Sequence, residues 1–125
     1  MQSYAFGDSE LAALRLAKVH EIFAPVSRAF LDCWAGRVFD LALDIGCGPG
    51  HTTDLLAEAL GARRTVGLDS SKQFLGLAAE TATDAVAFLE HDVMTVPFPE
   101  GPADVIYCRF LLSHLVEFDA VLASW

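Results

Sequence analysis

The sequence is poor in cysteine and in basic residues, and each shortage argues against a class of protein. Its three cysteines, Cys33, Cys47 and Cys108, form no C-x-x-C pair among 125 residues. We therefore predict a reduced, cytoplasmic protein with neither a disulfide framework nor a metal site. Eight Lys and Arg residues stand against 17 Asp and Glu, a net charge of −9. Nucleic acid is not the expected partner, because phosphate binding needs a basic surface.

Long apolar runs are also lacking, and none is long enough to cross a bilayer. Residues 1–8 show neither the basic nor the apolar region of a signal peptide. A membrane is therefore not an expected partner. The length suits about one domain, large enough to bury a core.

The stretch at residues 41–50, LALDIGCGPG, dominates what is present. Its first half predicts a buried strand, and its second half predicts a glycine turn leading into a helix at residues 51–60. A glycine turn lets the backbone approach a ligand closely, and the following helix N-terminus offers unpaired N–H groups. The stretch therefore predicts a corner that binds an anion or a nucleotide.

The glycine spacing indicates which class of nucleotide ligand the turn would bind. A dinucleotide fingerprint is G-x-G-x-x-G, but here His51 occupies the last glycine position and the glycines are Gly46, Gly48 and Gly50. Asp44 ends the strand, and a buried carboxylate suits a cationic ligand better than a pyrophosphate. The pattern resembles the first motif of the class I S-adenosylmethionine (SAM)-dependent methyltransferases. That resemblance implies SAM as the cofactor, with Asp44 near its ammonium and the three glycines against it.

Two further acidic positions fit the same resemblance. Asp69 ends the second predicted strand, about 20 residues beyond the glycine turn, where a carboxylate commonly binds ribose hydroxyls. The other interpretation is that Asp69 caps the next helix. The resemblance also implies that Asp92 accepts a hydrogen bond from the adenine amino group and that the Val93 backbone N–H meets a ring nitrogen. Alternatively, Asp92 only forms a turn.

The segment after the fourth strand corresponds to the methionine end of the cofactor in the resembled family. The backbone near Cys108 and Arg109 would contact the amino acid part. The Arg109 side chain would bind the cofactor carboxylate or a substrate acid, or would pair with one of the acidic residues. His114 is a candidate general base, although a histidine on a helix face is the commoner case. Arg109 is the second candidate catalytic residue, and the catalytic residues are otherwise unknown.

The N-terminal region, residues 1–36, is predicted to be a helical segment preceding the SAM-binding domain at 37–125. Apolar spacing predicts one helix at 9–23 and a second at 26–34, with Pro25 in the first turn of the second. The resemblance makes Tyr4, Phe6 and Arg15 candidate lid or pocket residues. The alternative is that the two aromatic residues pack outside a helix and Arg15 is solvated.

Strands alternate with helices, which predicts an α/β fold: a Rossmann-like, doubly wound parallel sheet in the order 3-2-1-4. The strands are predicted at 39–45, 65–69, 85–90 and 104–108. The C-terminal strands of the full methyltransferase fold are absent, so we expect a fragment of a longer protein. The alternatives are completion by another chain, including a homo-oligomer through the exposed fourth-strand edge, and a minimal cofactor-binding module.

The predicted function is SAM-dependent methyl transfer to a small-molecule acceptor by in-line displacement. This reaction depends on positioning, since the cofactor supplies the leaving group. Two alternatives come from other classes: a non-catalytic SAM-binding or partner-binding module, and a nicotinamide-dependent oxidoreductase. His51 in place of a glycine and Asp44 in the strand argue against the oxidoreductase.

Overall fold

The computed structural model describes residues 7–125. These residues form one sheet of four parallel strands, flanked by helices. The strands are β1 (Leu41–Ile45), β2 (Arg64–Asp69), β3 (Val86–Glu90) and β4 (Val105–Tyr107). The helices are α1 (Glu10–Asp32), α2 (His51–Leu60), α3 (Lys72–Ala78) and α4 (Phe118–Ser124), and 3₁₀ turns cover Ala79–Thr81 and Leu112–His114.

The strand order is β3-β2-β1-β4, all parallel, which confirms the predicted Rossmann-like fold and its order 3-2-1-4. Every residue of β1 is buried, because β1 lies between two strands and between two layers. One face of β1 joins the core cluster that includes Val66 and Leu68. The other face packs Ala42 against α2. Successive strands are added on one side of β1 up to β3, and β4 is then added on the other side. Ligands of such sheets bind beyond the strand carboxyl ends at this switch point.

Helix α1 is a single helix of 23 residues, so the predicted break at Pro25 is wrong. Proline within a helix removes one hydrogen bond and crowds the carbonyl four residues earlier. Here Pro25 and Glu21 both lie on the exposed side of α1, where solvent can satisfy that carbonyl. The residues after Pro25 are held in helical geometry because Ser27 and Leu31 are buried against the domain.

The outer edge of β4 has no neighbouring strand among residues 7–125, and Ile106 is 36% exposed there. Helix α4 contributes little to the core, since Val121 is buried and Trp125, just beyond the helix, packs against the core cluster. Phe118 and Leu122 of the same helix are exposed. Within the described residues, no helix is both long and apolar enough to cross a membrane.

Candidate functional site

A cavity of about 330 Å³ opens at the carboxyl ends of β1, β2 and β4. This volume falls in the usual range for a small-molecule site. Of the predicted site residues, the cavity lining includes Gly46, Asp69, Val93, Arg109 and His114. The others, Asp44, Gly48, Gly50, Asp92 and Cys108, are not part of the lining. The structure therefore brings the predicted residues to one edge of the sheet but places half of them beneath or beside the cavity surface.

The glycine turn is tied to β2 by its backbone. The N–H groups of Gly46 and Cys47 both donate to the Leu68 carbonyl, at 2.8 and 3.0 Å. Gly46 and Gly48 have φ angles of 72° and 54°, which residues with a side chain rarely adopt. A Cβ at Gly48 would meet only Leu16, at 3.9 Å. The turn thus leaves room for a ligand above Gly48.

Asp44 is fully buried beneath this turn. Its Oδ2 accepts hydrogen bonds from Thr52 and Thr53 of α2, at 2.6 and 2.7 Å. Its Oδ1 is buried and accepts no hydrogen bond within the described part of the chain. Burial raises the pKa of Asp44 to about 6, and the two threonine hydroxyls oppose that shift. A buried oxygen without a donor is costly and is suited to a cationic or hydrogen-bonding ligand group. The two threonines were not recognised in the sequence.

Asp69 joins the glycine turn to the start of α3. Its Oδ2 accepts from the Gly48 N–H at 2.9 Å, and its Oδ1 accepts from the Ser71 N–H at 2.8 Å. Burial raises the pKa of Asp69. The alternative that Asp69 caps α3 is wrong, because Ser71 is the N-cap and accepts from the Phe74 N–H. The Ser71 hydroxyl also donates to Asp8 at 2.8 Å, which holds the start of the described chain over the cavity.

Asp92 and Val93 have different environments although they are adjacent. The Asp92 carboxylate accepts from the Met94 N–H at 2.9 Å, which is turn-forming geometry. Val93 is buried in the cavity wall, and its carbonyl accepts from the Trp125 indole at 3.1 Å. Cys108 is half-buried against the core, and burial raises its pKa. The adenine contacts remain predictions.

Arg109 reaches across the cavity to α1. Its guanidinium donates to the Ser27 hydroxyl at 3.0 Å and to His20 Nδ1 at 3.2 Å. It also lies 5.6 Å from the centre of the Phe110 ring. Within residues 7–125 Arg109 takes part in none of the ion pairs, so the interpretation that it pairs with an acidic residue is wrong there. Its charge does act on the buried Asp44 and opposes the rise in the pKa of that carboxyl. His20 and Ser27 were missed, because no local spacing links them to a residue more than 80 positions away.

The predicted lid residues receive no support from the structure. Tyr4 and Phe6 lie outside the described residues. Arg15 is exposed and is not part of the cavity lining. The residues of α1 that do line the cavity are Leu16, Val19 and His20. These three residues are spaced i, i+3 and i+4, so they share the face of α1 that is turned toward the cavity. The predicted residue, Arg15, lies on a different face of the same helix.

The fold and this edge together define a class of protein. An acidic strand end, a glycine turn and a second acidic strand end on a 3-2-1-4 parallel sheet are the features of class I SAM-binding domains. The family comparison agrees, because the model described as "Methyltransferase domain" matches residues 42–125. The chain belongs to this methyltransferase family, whose cofactor is SAM, and the nicotinamide alternative is discarded.

A curated relative supports the family assignment, and solved structures support the fold. Trans-aconitate 2-methyltransferase of Rhizobium rhizogenes is 34% identical over 87 residues, 66% of this chain and 33% of that protein. A putative SAM-dependent methyltransferase from Methanococcus maripaludis has a TM-score of 0.77 at 20% identity, over 99% of this chain and 60% of that one. The plantazolicin methyltransferase BpumL, solved with SAH, has a TM-score of 0.64 at 20% identity, over 85% and 41%.

The chain spans about a third of the length of the first curated relatives that it matches. The residues present nevertheless suit the cofactor. SAM carries an ammonium and a sulfonium group, and the unpaired Asp44 oxygen lies under a glycine turn that leaves space at Gly48. Both carboxylates stand at the positions that the motif predicts.

Proposed function

We propose that this chain is the cofactor-binding part of an enzyme that transfers a methyl group from SAM to a small-molecule acceptor. The observation that carries the proposal is the buried Asp44 carboxylate, with one oxygen unpartnered, beneath a glycine turn at the edge of a cavity of about 330 Å³. The bound cofactor would supply an electrophilic methyl group and a neutral thioether leaving group. The rhizobial relative's name gives a small organic acid as its acceptor.

Each predicted site residue has a proposed role. Asp44 would hold the cofactor ammonium directly or through water, and Gly46, Gly48 and Gly50 would let the backbone close on it. Asp69 would accept hydrogen bonds from the ribose hydroxyls. Asp92 and the Val93 N–H would recognise the adenine, and the backbone of Cys108 and Arg109 would contact the amino acid part.

The chain's own contribution to the reaction is positioning. The cavity walls from α1 and from the segment after β4 would exclude water and orient the acceptor toward the methyl group. His114 lines the cavity and stays a candidate general base for acceptors that must lose a proton. The division into residues 1–36 and 37–125, the cytoplasmic location and the homo-oligomer through the β4 edge also remain proposals. We likewise expect no nucleic-acid or membrane partner.

The direct test is calorimetric titration of the purified chain with SAM, S-adenosylhomocysteine (SAH) and NAD. We expect SAM and SAH to bind and NAD not to bind. A folded chain that binds neither SAM nor SAH would contradict the proposal. A different result is that the chain binds SAM while the protein that contains it methylates no acceptor. That result would favour a non-catalytic SAM-binding module.

The pH dependence of binding tests the role of Asp44. The raised pKa of about 6 means that Asp44 is protonated below that pH and loses its attraction for an ammonium. SAM affinity should be greatest near pH 7 and about tenfold weaker at about pH 5, and it should fall again above about pH 8 as the α-amino group of SAM loses its proton. Calorimetry across this range checks the prediction.

Two comparisons isolate the Asp44 contribution from that of Asp69, whose pKa is also raised. Asp44→Asn should bind SAM weakly and with much less pH dependence. 5′-Methylthioadenosine lacks the amino acid part, so its binding should not change with the Asp44 titration. Equal pH dependence for SAM and 5′-methylthioadenosine would argue against the ammonium contact.

A further inference from the structure

The cavity of this acidic protein is lined by several basic side chains. Three of the chain's four histidines and one arginine line it, namely His20, His51, His114 and Arg109. The acidic side chains in the lining are Asp8 and Asp69. A net charge of −9 repels anions from the surface as a whole. A local concentration of nitrogen donors therefore needs a reason within the cavity.

Arg109 is held in a fixed position by neutral acceptors. Ser27 and His20 each accept one of its N–H groups, at 3.0 and 3.2 Å. Ser27 is buried, so this end of the guanidinium is anchored on the inner face of α1. A guanidinium has five N–H donors, and no acid of residues 7–125 pairs with it. Arg109 is thus a preorganised cation with donors left for a ligand.

His20 and His51 extend this cation into a cluster. Their rings stack, with centroids 5.2 Å apart and planes 20° apart. Because a guanidinium can only donate, His20 Nδ1 must be an acceptor, which places the proton of the neutral ring on Nε2. Burial, followed by the charge of Arg109 and then His51, lowers the pKa of His20. While it accepts this hydrogen bond, His20 presents an Nε2–H donor.

The cluster and Asp69 approach the cavity from opposite sides of β1. Asp69 ends β2, whereas Arg109 follows β4, and β1 separates these strands in the sheet. The nucleoside of the cofactor is assigned above to the β2 side. The cluster consequently lies toward the end where the methyl group and the acceptor would meet.

We propose that Arg109, with His20 and His51, binds a carboxylate of the acceptor, so that the substrate is a small organic acid in its anionic form. This inference rests on the proposed function. The amino acid part of the cofactor also has a carboxylate, but that single group would not use all the donors of a guanidinium and two imidazoles. His20 and Ser27 are positioning residues for Arg109, and Arg109 is the residue that contacts the anion.

The test measures anion binding to the chain already saturated with SAH. The probe is tricarballylate, and its uncharged triamide is the control for shape. We expect tricarballylate to bind and the triamide not to bind. Arg109→Gln should weaken tricarballylate binding about tenfold or more, and it should weaken SAH binding much less, because only the backbone of residue 109 is assigned to the cofactor. Arg63→Gln is the matched control, because Arg63 is exposed at the opposite end of β2 and should leave both affinities unchanged.

Two results would overturn the inference. One is an SAH-saturated chain that does not prefer tricarballylate over the triamide. The other is an Arg109→Gln chain that loses SAH affinity but keeps affinity for 5′-methylthioadenosine, which would assign Arg109 to the cofactor carboxylate. Failure of SAH itself to bind would be a different result, since it would reject the proposed function as well.

The positioning role of His20 has its own readout. His20→Asn keeps an oxygen that can accept from Arg109, whereas His20→Ala removes the acceptor. We expect His20→Ala to weaken tricarballylate binding severalfold and His20→Asn to restore most of it, with SAH affinity unchanged in both. Equal loss in the two variants would show that His20 does not act through Arg109.

Discussion

Replacing Asp69 with alanine is expected to weaken SAM and SAH binding by about a hundredfold. The proposed ribose contact consists of two hydroxyl donors on a largely buried carboxylate, and hydrogen bonds to charged groups are worth about 1.5–3 kcal/mol each. The same substitution also removes the acceptor of the Gly48 N–H, so part of the loss would come from a looser turn. Calorimetric titration with SAH measures the total.

Two controls separate these contributions. Glu90→Ala removes an exposed acid from the end of β3, directly beside Asp69 in the sheet register, and should leave SAH affinity unchanged. The second control changes the ligand: wild-type protein should prefer SAH over its 2′-deoxy analogue, and Asp69→Ala should lose that preference. If the preference survives in Asp69→Ala, the carboxylate supports the turn and does not bind the ribose.

Gly50→Ala is expected to destabilise the fold by about 3 kcal/mol or more. Gly50 precedes α2 with a φ angle of 95°, which an L-residue adopts only with strain. A Cβ there would also lie 2.9 Å from the Ala78 Cβ and 3.0 Å from the Phe88 ring. The strain and the overpacking each cost about 1–3 kcal/mol. Urea denaturation gives the change in the free energy of unfolding.

Two other glycines separate backbone strain from crowding. Gly61 has a φ angle of 60° with nothing within 4 Å of its added Cβ, so Gly61→Ala should cost only about 1 kcal/mol. Gly76 lies in α3 without a positive φ and with open space, so Gly76→Ala should stabilise by up to about 1 kcal/mol. Equal effects for Gly50→Ala and Gly61→Ala would mean that the contacts with α3 and β3 yield without cost.

The sheet could be predicted because its information is local. Each strand is a short apolar run ended by a turn, and Asp44 and Asp69 stand at the ends of β1 and β2 where chain order alone places them at one edge. The helix break was mispredicted because Pro25 is a strong local signal, whereas the burial of Ser27 and Leu31 that keeps α1 whole is a tertiary effect.

The cavity could be predicted only in part for the same reason. The pattern around residues 41–50 identified the glycine turn, but it gave no hint that Thr52 and Thr53 would both donate to Asp44. Nor did any spacing connect Arg109 to the histidine of α1 that accepts its hydrogen bond. Contacts between distant segments depend on how the helices pack on the sheet. Local patterns in a single sequence do not predict that packing.

The bond from Arg109 to His20 also has a consequence for the order in which the chain is completed during synthesis. The two residues are 89 positions apart, so a ribosome adding about 5–20 residues per second makes His20 about 4 to 18 s before Arg109. Helix α1 can dock on α2 during that interval, but His20 cannot form its hydrogen bond until Arg109 has been synthesised. Ligands that bind through Arg109 can therefore stabilise only a chain in which α1 has already met the segment that follows β4.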